Sequence, residues 1–189
     1  MTYNMFLQAW GGVFYLLNKI FFSRAERCEG EKKRIWMISS WAVYLIGMPA
    51  WVYIFVSGHN WMAACVEAGG ALSMILGLVT VIKKGQGNPK LLDRLALIAA
   101  IVGIAISLYD IGFFARVTQY PELGVVIGFL GGTYLLARQR SSGYIWFMLM
   151  IFSNAILMGM KENWWLVAQQ IISLGFIIDA YVVSRKKNS

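Results

Sequence analysis

The sequence predicts an all-α integral membrane protein whose seven transmembrane helices form two parallel three-helix repeats joined by an inverting fourth helix. Three observations predict it. Of the 189 residues, 59% are hydrophobic and the mean hydropathy is +0.61. A soluble domain of that size has too little interior for so much apolar surface, so the surplus must face lipid. Several windows of about 18 to 22 residues carry almost no charge, which is enough helix to cross a hydrocarbon core of roughly 30 Å. The chain also repeats itself. Asn60 to Lys84 and Asn163 to Lys187 both open on Asn-Trp, run through an apolar stretch and close on Lys-Lys, at an offset of 103 residues at both ends. That offset sets Glu67 opposite Gln170. Duplicated membrane proteins are commonly built around a path between their halves.

In chain order, helix 1 is expected from about Met5 to Phe22, with Lys19 near its end snorkelling toward the headgroups. The N-terminal residues lack the basic start of a cleaved signal peptide, so this segment is expected to be retained. A basic loop, Ser23 to Arg34, follows. Helix 2 spans about Ile35 to Val56 around Pro49, and helix 3 spans Trp61 to Ile82. The Gly/Pro-punctuated linker Lys83 to Arg94 then separates the repeats. Helix 4, about Leu91 to Phe114, has no counterpart in the repeat. Helix 5 runs from Glu122 to about Ala137, helix 6 from Tyr144 to about Met160, and helix 7 from Asn163 to Ser184. The units are therefore a first bundle over 1–84, a linker and inverting helix over 85–118, and a second bundle with a basic tail over 119–189.

Earlier helices extend the repeat. Gly11-Gly12 with Tyr15-Leu16-Leu17 resembles Gly131-Gly132 with Tyr134-Leu135-Leu136, and Ile35-Trp36 resembles Ile145-Trp146. With one extra helix between them, both units enter the membrane from the same side.

The net charge of +8 would suggest nucleic acid in a soluble chain. Here it reads as the positive-inside bias of short loops, so no nucleic-acid partner is expected. Taken on alternate sides, the loops divide their basic residues fourteen to two, with only Arg116 and Lys161 on the poorer side. This predicts an external N-terminus and a cytoplasmic C-terminus. Cys28 and Cys65 fall in a basic loop and a hydrophobic span, an unfavourable geometry for a disulfide.

Polar residues inside apolar helices mark the candidate site. Glu67, about two turns into helix 3, must face the bundle interior, as a substrate-binding or proton-linked group or as an interhelical hydrogen-bond partner. Gln170, with Gln169 beside it, offers matching amide donors and acceptors suited to a polar, uncharged ligand. Asn154 and Asn18 serve either binding or helix packing, as does Gln8. Trp41 can stack on a ligand ring, whereas Trp36 and Trp146 stand at helix starts and read as interface anchors. Asp110 is expected to be solvated or paired with Arg116, and Asp179 to pair near Arg185 or point inward. His59 alone makes no catalytic site, and no Cys/His cluster or phosphate-cradling loop is present. No enzyme activity, metal or cofactor is expected.

Arg140, the aromatic helix start Tyr144 and Trp146, the turn Asn163-Trp164-Trp165, the Gln169-Gln170 pair and the basic exit from Tyr181 to Lys187 together resemble the PnuC family of bacterial facilitators, which has the SWEET-like fold. The resemblance implies a bacterial inner-membrane transporter. It further implies a small polar ring-containing solute, nicotinamide riboside or a related nucleoside or vitamin, passed by alternating access between two bundles. Glu67, Gln170, Gln169, Asn154, Trp41 and Asn18 are then the expected substrate contacts, and a cytoplasmic trapping kinase is an implied partner. A homo-oligomer is compatible with it. The alternative is a non-transporting membrane module, a small channel or assembly partner that acts through its basic cytoplasmic loops.

Overall fold

The computed structural model describes residues 2–84, 89–111 and 117–187. Within them the chain forms seven helices: α1 (Thr2–Arg27), α2 (Gly30–Ser57), α3 (Trp61–Ile82), α4 (Lys90–Ile111), α5 (Gln119–Ala137), α6 (Gly143–Met160) and α7 (Trp164–Lys187). There is no strand among the described residues. Six of the helices, α2 through α7, are long and apolar enough to cross a membrane, and the protein is a multi-pass helical membrane protein. In α1 the apolar run is interrupted by Gln8, Asn18 and Lys19. The pairing expected between Asp110 and Arg116 lies outside the described residues, as do the end of helix 4 at Phe114 and the linker segment 85–88.

Helix contacts follow a closed circuit. α1 packs on α2, α2 on α3, α3 on α5, α5 on α6, α6 on α7, and α7 returns to α1. α4 stands outside this ring against α3 and α5 alone. Its other face leaves Leu91, Ile98, Ile101 and Tyr109 exposed, an apolar surface suited to lipid.

The stretch from Ser23 to Arg34 is helix except for Cys28 and Glu29, not the loop its charge suggests. Arg, Glu and Lys are good helix formers, and here their charges find partners across the reversal. Lys33 Nζ donates to Glu26 Oε2 at 2.7 Å, and Arg34 pairs with Glu31. Arg34 also donates to the terminal carbonyls of α3 at Val81 and Ile82, both at 3.2 Å. Gly30 opens α2 at φ +57, a conformation that a Cβ would penalise.

The two Asn-Trp sequences mark the same piece of local geometry. α2 and α6 each end with a left-handed residue, His59 at φ 54 and Glu162 at φ 56. The next residue, Asn60 or Asn163, donates its N–H back to Phe55 or Met158, at 2.8 and 2.9 Å. This is the paired closure of a Schellman turn. The same asparagine then caps the following helix. Asn60 Oδ1 accepts from Ala63 N at 3.1 Å, and Asn163 Oδ1 from Leu166 N at 3.5 Å. One residue ends one helix and begins the next, which makes a tight reversal.

Asp179 does not turn toward Arg185. It accepts from Ser23 Oγ at 2.5 Å and pairs with Arg27, tying α7 to α1. The Arg27 side chain is 57% exposed, so water and salt screen the pair. Asp179→Asn should therefore lower the thermal midpoint only slightly, and the difference should vanish in high salt. A fall that persists in high salt would assign the stabilisation to the Ser23 bond instead.

Candidate functional site

All six ring helices send side chains toward the ring's axis. α1 carries Gly12, Tyr15, Asn18 with Lys19, Phe22 and Glu26, one turn or less apart, so they form successive levels along that axis. The levels run inward from the end rich in Lys and Arg.

At that end lies an open vestibule of about 750 Å³, a size suited to a small-molecule ligand. Phe22, Trp41 and Tyr144 close its floor, each only 1% exposed. Phe22 meets the edges of Trp41 at 5.2 Å and Tyr144 at 6.0 Å between ring centroids. Trp41 lies so close to α3 that a Cβ on Gly77 would collide with its indole. Glu26 is buried at this level, where its carboxylate accepts from Tyr144 Oη at 2.9 Å and from Lys33 at 2.7 Å.

One turn deeper sits Lys19, 2% exposed. Burial overrides the expectation that it would snorkel outward, because the interior supplies what an ammonium needs. Nζ donates to Asn18 Oδ1 at 2.9 Å and lies over the rings of Tyr44 at 4.4 Å and Phe147 at 4.5 Å. Such faces attract cations, more strongly away from water. Asn18 is held in turn by Ser40, donating to its carbonyl at 3.0 Å and its Oγ at 2.8 Å.

The next level holds the acid. Glu67, half-buried on α3, accepts from Tyr15 Oη at 2.7 Å. Tyr15 meets Tyr44 edge-on at 4.7 Å, and its ring lies 5.7 Å from Lys19 Nζ. A buried cation and a carboxylate are thus linked through one tyrosine.

Beyond them the axis narrows at the Gly11-Gly12 pair. Gln169 Nε2 donates to the Gly12 carbonyl at 2.6 Å, and a Cβ on Gly11 would press on Trp51 Nε1 at 2.6 Å. Trp51 Nε1 and Gln169 Oε1 beside this pair, and Tyr44 Oη nearer the Lys19 level, are buried and have no hydrogen-bond partner among the described residues. Buried polar atoms are ordinarily paired, and an unpaired one costs about 1–3 kcal/mol. Two of these atoms have defined roles, a tryptophan N–H that can only donate and an amide oxygen that can only accept.

Of the residues expected at a site, Trp41, Asn18, Glu67 and Gln169 fall on successive levels of this axis. Gln169 is buried, whereas Gln170 and Asn154 are half-buried and make no side-chain hydrogen bond among the described residues. Gln8, on α1, is half-buried as well. Tyr15, Lys19, Tyr44 and Trp51 were not singled out by sequence as site residues. The glycines pressed by Trp51 and Trp41 were the available signal. Trp61, Trp164 and Trp165 are all at least 60% exposed at the opposite end from the vestibule, where a belt would sit. Comparison of the chain with protein-family models, with curated proteins and with solved structures finds no match.

Proposed function

We propose that the protein is a membrane facilitator that carries a small polar, ring-containing solute, of the nucleoside or vitamin class, along the axis of the helix ring. One observation carries this reading. An aromatic-walled interior holds a buried donor, a buried acceptor and a buried hydroxyl, none with a hydrogen-bond partner among the described residues, at Trp51, Gln169 and Tyr44. A solute with a planar ring and both hydrogen-bonding roles satisfies all three and stacks on the surrounding rings.

The pattern of helix contacts supports passage between two halves. Exchanging α1 with α5, α2 with α6 and α3 with α7 maps every ring contact onto another, including α3 on α5 onto α7 on α1. Two parallel three-helix units related by an axis through the ring centre have this pattern, with α4 reversing the chain between them. The vestibule end carries the basic residues and faces the cytoplasm in this reading, so the chain is in an inward-open state, closed above Phe22 and Trp41. The resemblance to PnuC-type facilitators points to nicotinamide riboside as the first solute to test.

Ion pairing weighs against a module that works through its basic loop. Arg27, Lys33 and Arg34 are engaged by Asp179, Glu26 and Glu31 within the protein, which leaves less of that charge for a partner.

Uptake of labelled nicotinamide riboside, and of nucleosides and thiamine beside it, into proteoliposomes tests the proposal. Protein-dependent uptake of at least one solute is expected. Gln169→Leu should reduce it by about tenfold or more, since it removes the acceptor and leaves the ligand's donor unpaired. Flux equal to that of empty liposomes across the whole panel would overturn the reading.

A further inference from the structure

The vestibule has a chemistry of its own. We propose that it is a binding site for a phosphorylated ring compound, approached from the basic end and distinct from the three unpaired polar atoms deeper in the bundle.

Five cations line it: Lys33, Arg34, Lys84, Arg140 and Lys187. Acids at the α1–α2 reversal occupy three of them. Glu26 takes Lys33 at 2.7 Å, Glu31 takes Arg34, and Glu29 takes Lys187 at 3.2 Å. Lys84 and Arg140 are left, one just past α3 and the other in the turn between α5 and α6, and neither makes an ion pair among the described residues. They come from opposite halves of the ring and line the same space. A phosphate monoester, carrying close to two negative charges, matches two unpaired cations in charge and in hydrogen-bonding capacity.

The rest of the lining suits the other end of such a molecule. Below the cations the walls are Met37, Leu136 and Val81, and the floor is aromatic. Ser141 and Ser142 also line the space at the start of α6, and Ser142 makes no capping bond with its side chain. Their hydroxyls stand where the positive end of a helix adds to the field of Arg140. A cationic rim over an apolar, aromatic base selects a ring that bears a phosphate, over either part alone. Anionic lipid headgroups share the phosphate chemistry. The six-helix enclosure favours a soluble ligand, because the lining comes from the inside of the ring.

The test is a thermal-shift and calorimetric titration of the full-length protein in neutral detergent with adenosine monophosphate, adenosine and inorganic phosphate. The monophosphate should raise the midpoint increasingly with concentration and bind at least about tenfold more tightly than either fragment. Lys84→Ala with Arg140→Ala should abolish that preference, while Lys84→Arg retains it. Both side chains are exposed, so the double variant should elute and melt like the parent without ligand. Equal binding of adenosine and its monophosphate, or undiminished binding by the double variant, would overturn the proposal. So would phosphatidylglycerol in nanodiscs displacing the monophosphate at equal occupancy, since the site would then belong to lipid. Gln169→Leu should leave this binding unchanged, which separates the vestibule from the transport reading.

Discussion

Gly128→Leu should yield no stably folded protein. A Cβ at this position of α5 would stand 2.6 Å from both the Met150 amide nitrogen and the Trp146 carbonyl oxygen. These are backbone atoms of α6, so no rotamer change relieves the contact, and the two helices must separate. Small residues at helix crossings allow this kind of close approach within membranes. Forcing extra carbons into a packed contact usually costs about 1–3 kcal/mol, and a contact with backbone lies at or beyond the top of that range. The check is the midpoint of detergent-induced unfolding, with Gly175→Ala as the control. Nothing lies within 4 Å of a Cβ added to Gly175, so the control should be neutral or gain up to about 1 kcal/mol from reduced chain entropy. A Gly128→Leu protein as stable as the parent would mean that α5 and α6 are packed differently.

Lys19→Met and Glu67→Leu should each lower stability, and the two losses should not add, because both charges lie on the same axis. The two charges interact across Tyr15, which donates to Glu67 and lies beside the ammonium. Methionine is close to lysine in shape and fits among Tyr15, Tyr44 and Phe147 without charge. The change nonetheless strands the half-buried Glu67 carboxylate and removes the donor that Asn18 Oδ1 accepts from. Glu67→Leu strands the other charge, leaving the ammonium without the neighbouring carboxylate and the Tyr15 hydroxyl without its acceptor. Stranding a buried charge costs up to roughly 3–5 kcal/mol. The double variant should recover most of that loss, giving a coupling energy well above the few tenths expected of unconnected sites. Both single variants should lose solute flux, and the double variant, restored in stability but not in flux, separates function from folding. Equal stability of Glu67→Leu and the parent would show that the two charges are not coupled.

Helix number and the basic end were legible because hydropathy and loop charge act over long windows. The direction in which a residue faces was not. One residue along a helix turns a side chain by about 100°, so an offset that aligns Glu67 with Gln170 says little about which glutamine reaches the axis. In the structure the buried one is Gln169, held by the Gly12 carbonyl. Lys19 shows the same limit. A lysine near the expected end of a helix reads as snorkelling, and only α2 and α6 supply the rings that make burial favourable. The charged stretch from Ser23 to Arg34 misled in another way, since its charges pair with each other and with α7 and so extend helices that hydropathy ends. Lys84 and Arg140 carried no signal at all, because what sets them apart from other loop cations is that they line one cavity from opposite halves of the ring.

The closure of the ring has a consequence for how the chain is made. α1 leaves the ribosome before the other ring helices, yet one of its neighbours in the circuit is α7, the ring helix made after all the others. Until then Lys19 has only part of its surroundings, Tyr15 and Tyr44, and lacks Phe147 from α6. At the centre of a membrane helix an unsheltered lysine costs about 2.5–3.5 kcal/mol to insert. The first helix should therefore wait at the insertion machinery or at the membrane surface while its partners are synthesised, and commit to the bilayer late. Chains cut short before α6 should fail to hold α1 in the membrane, and would be the form that quality-control proteases recognise.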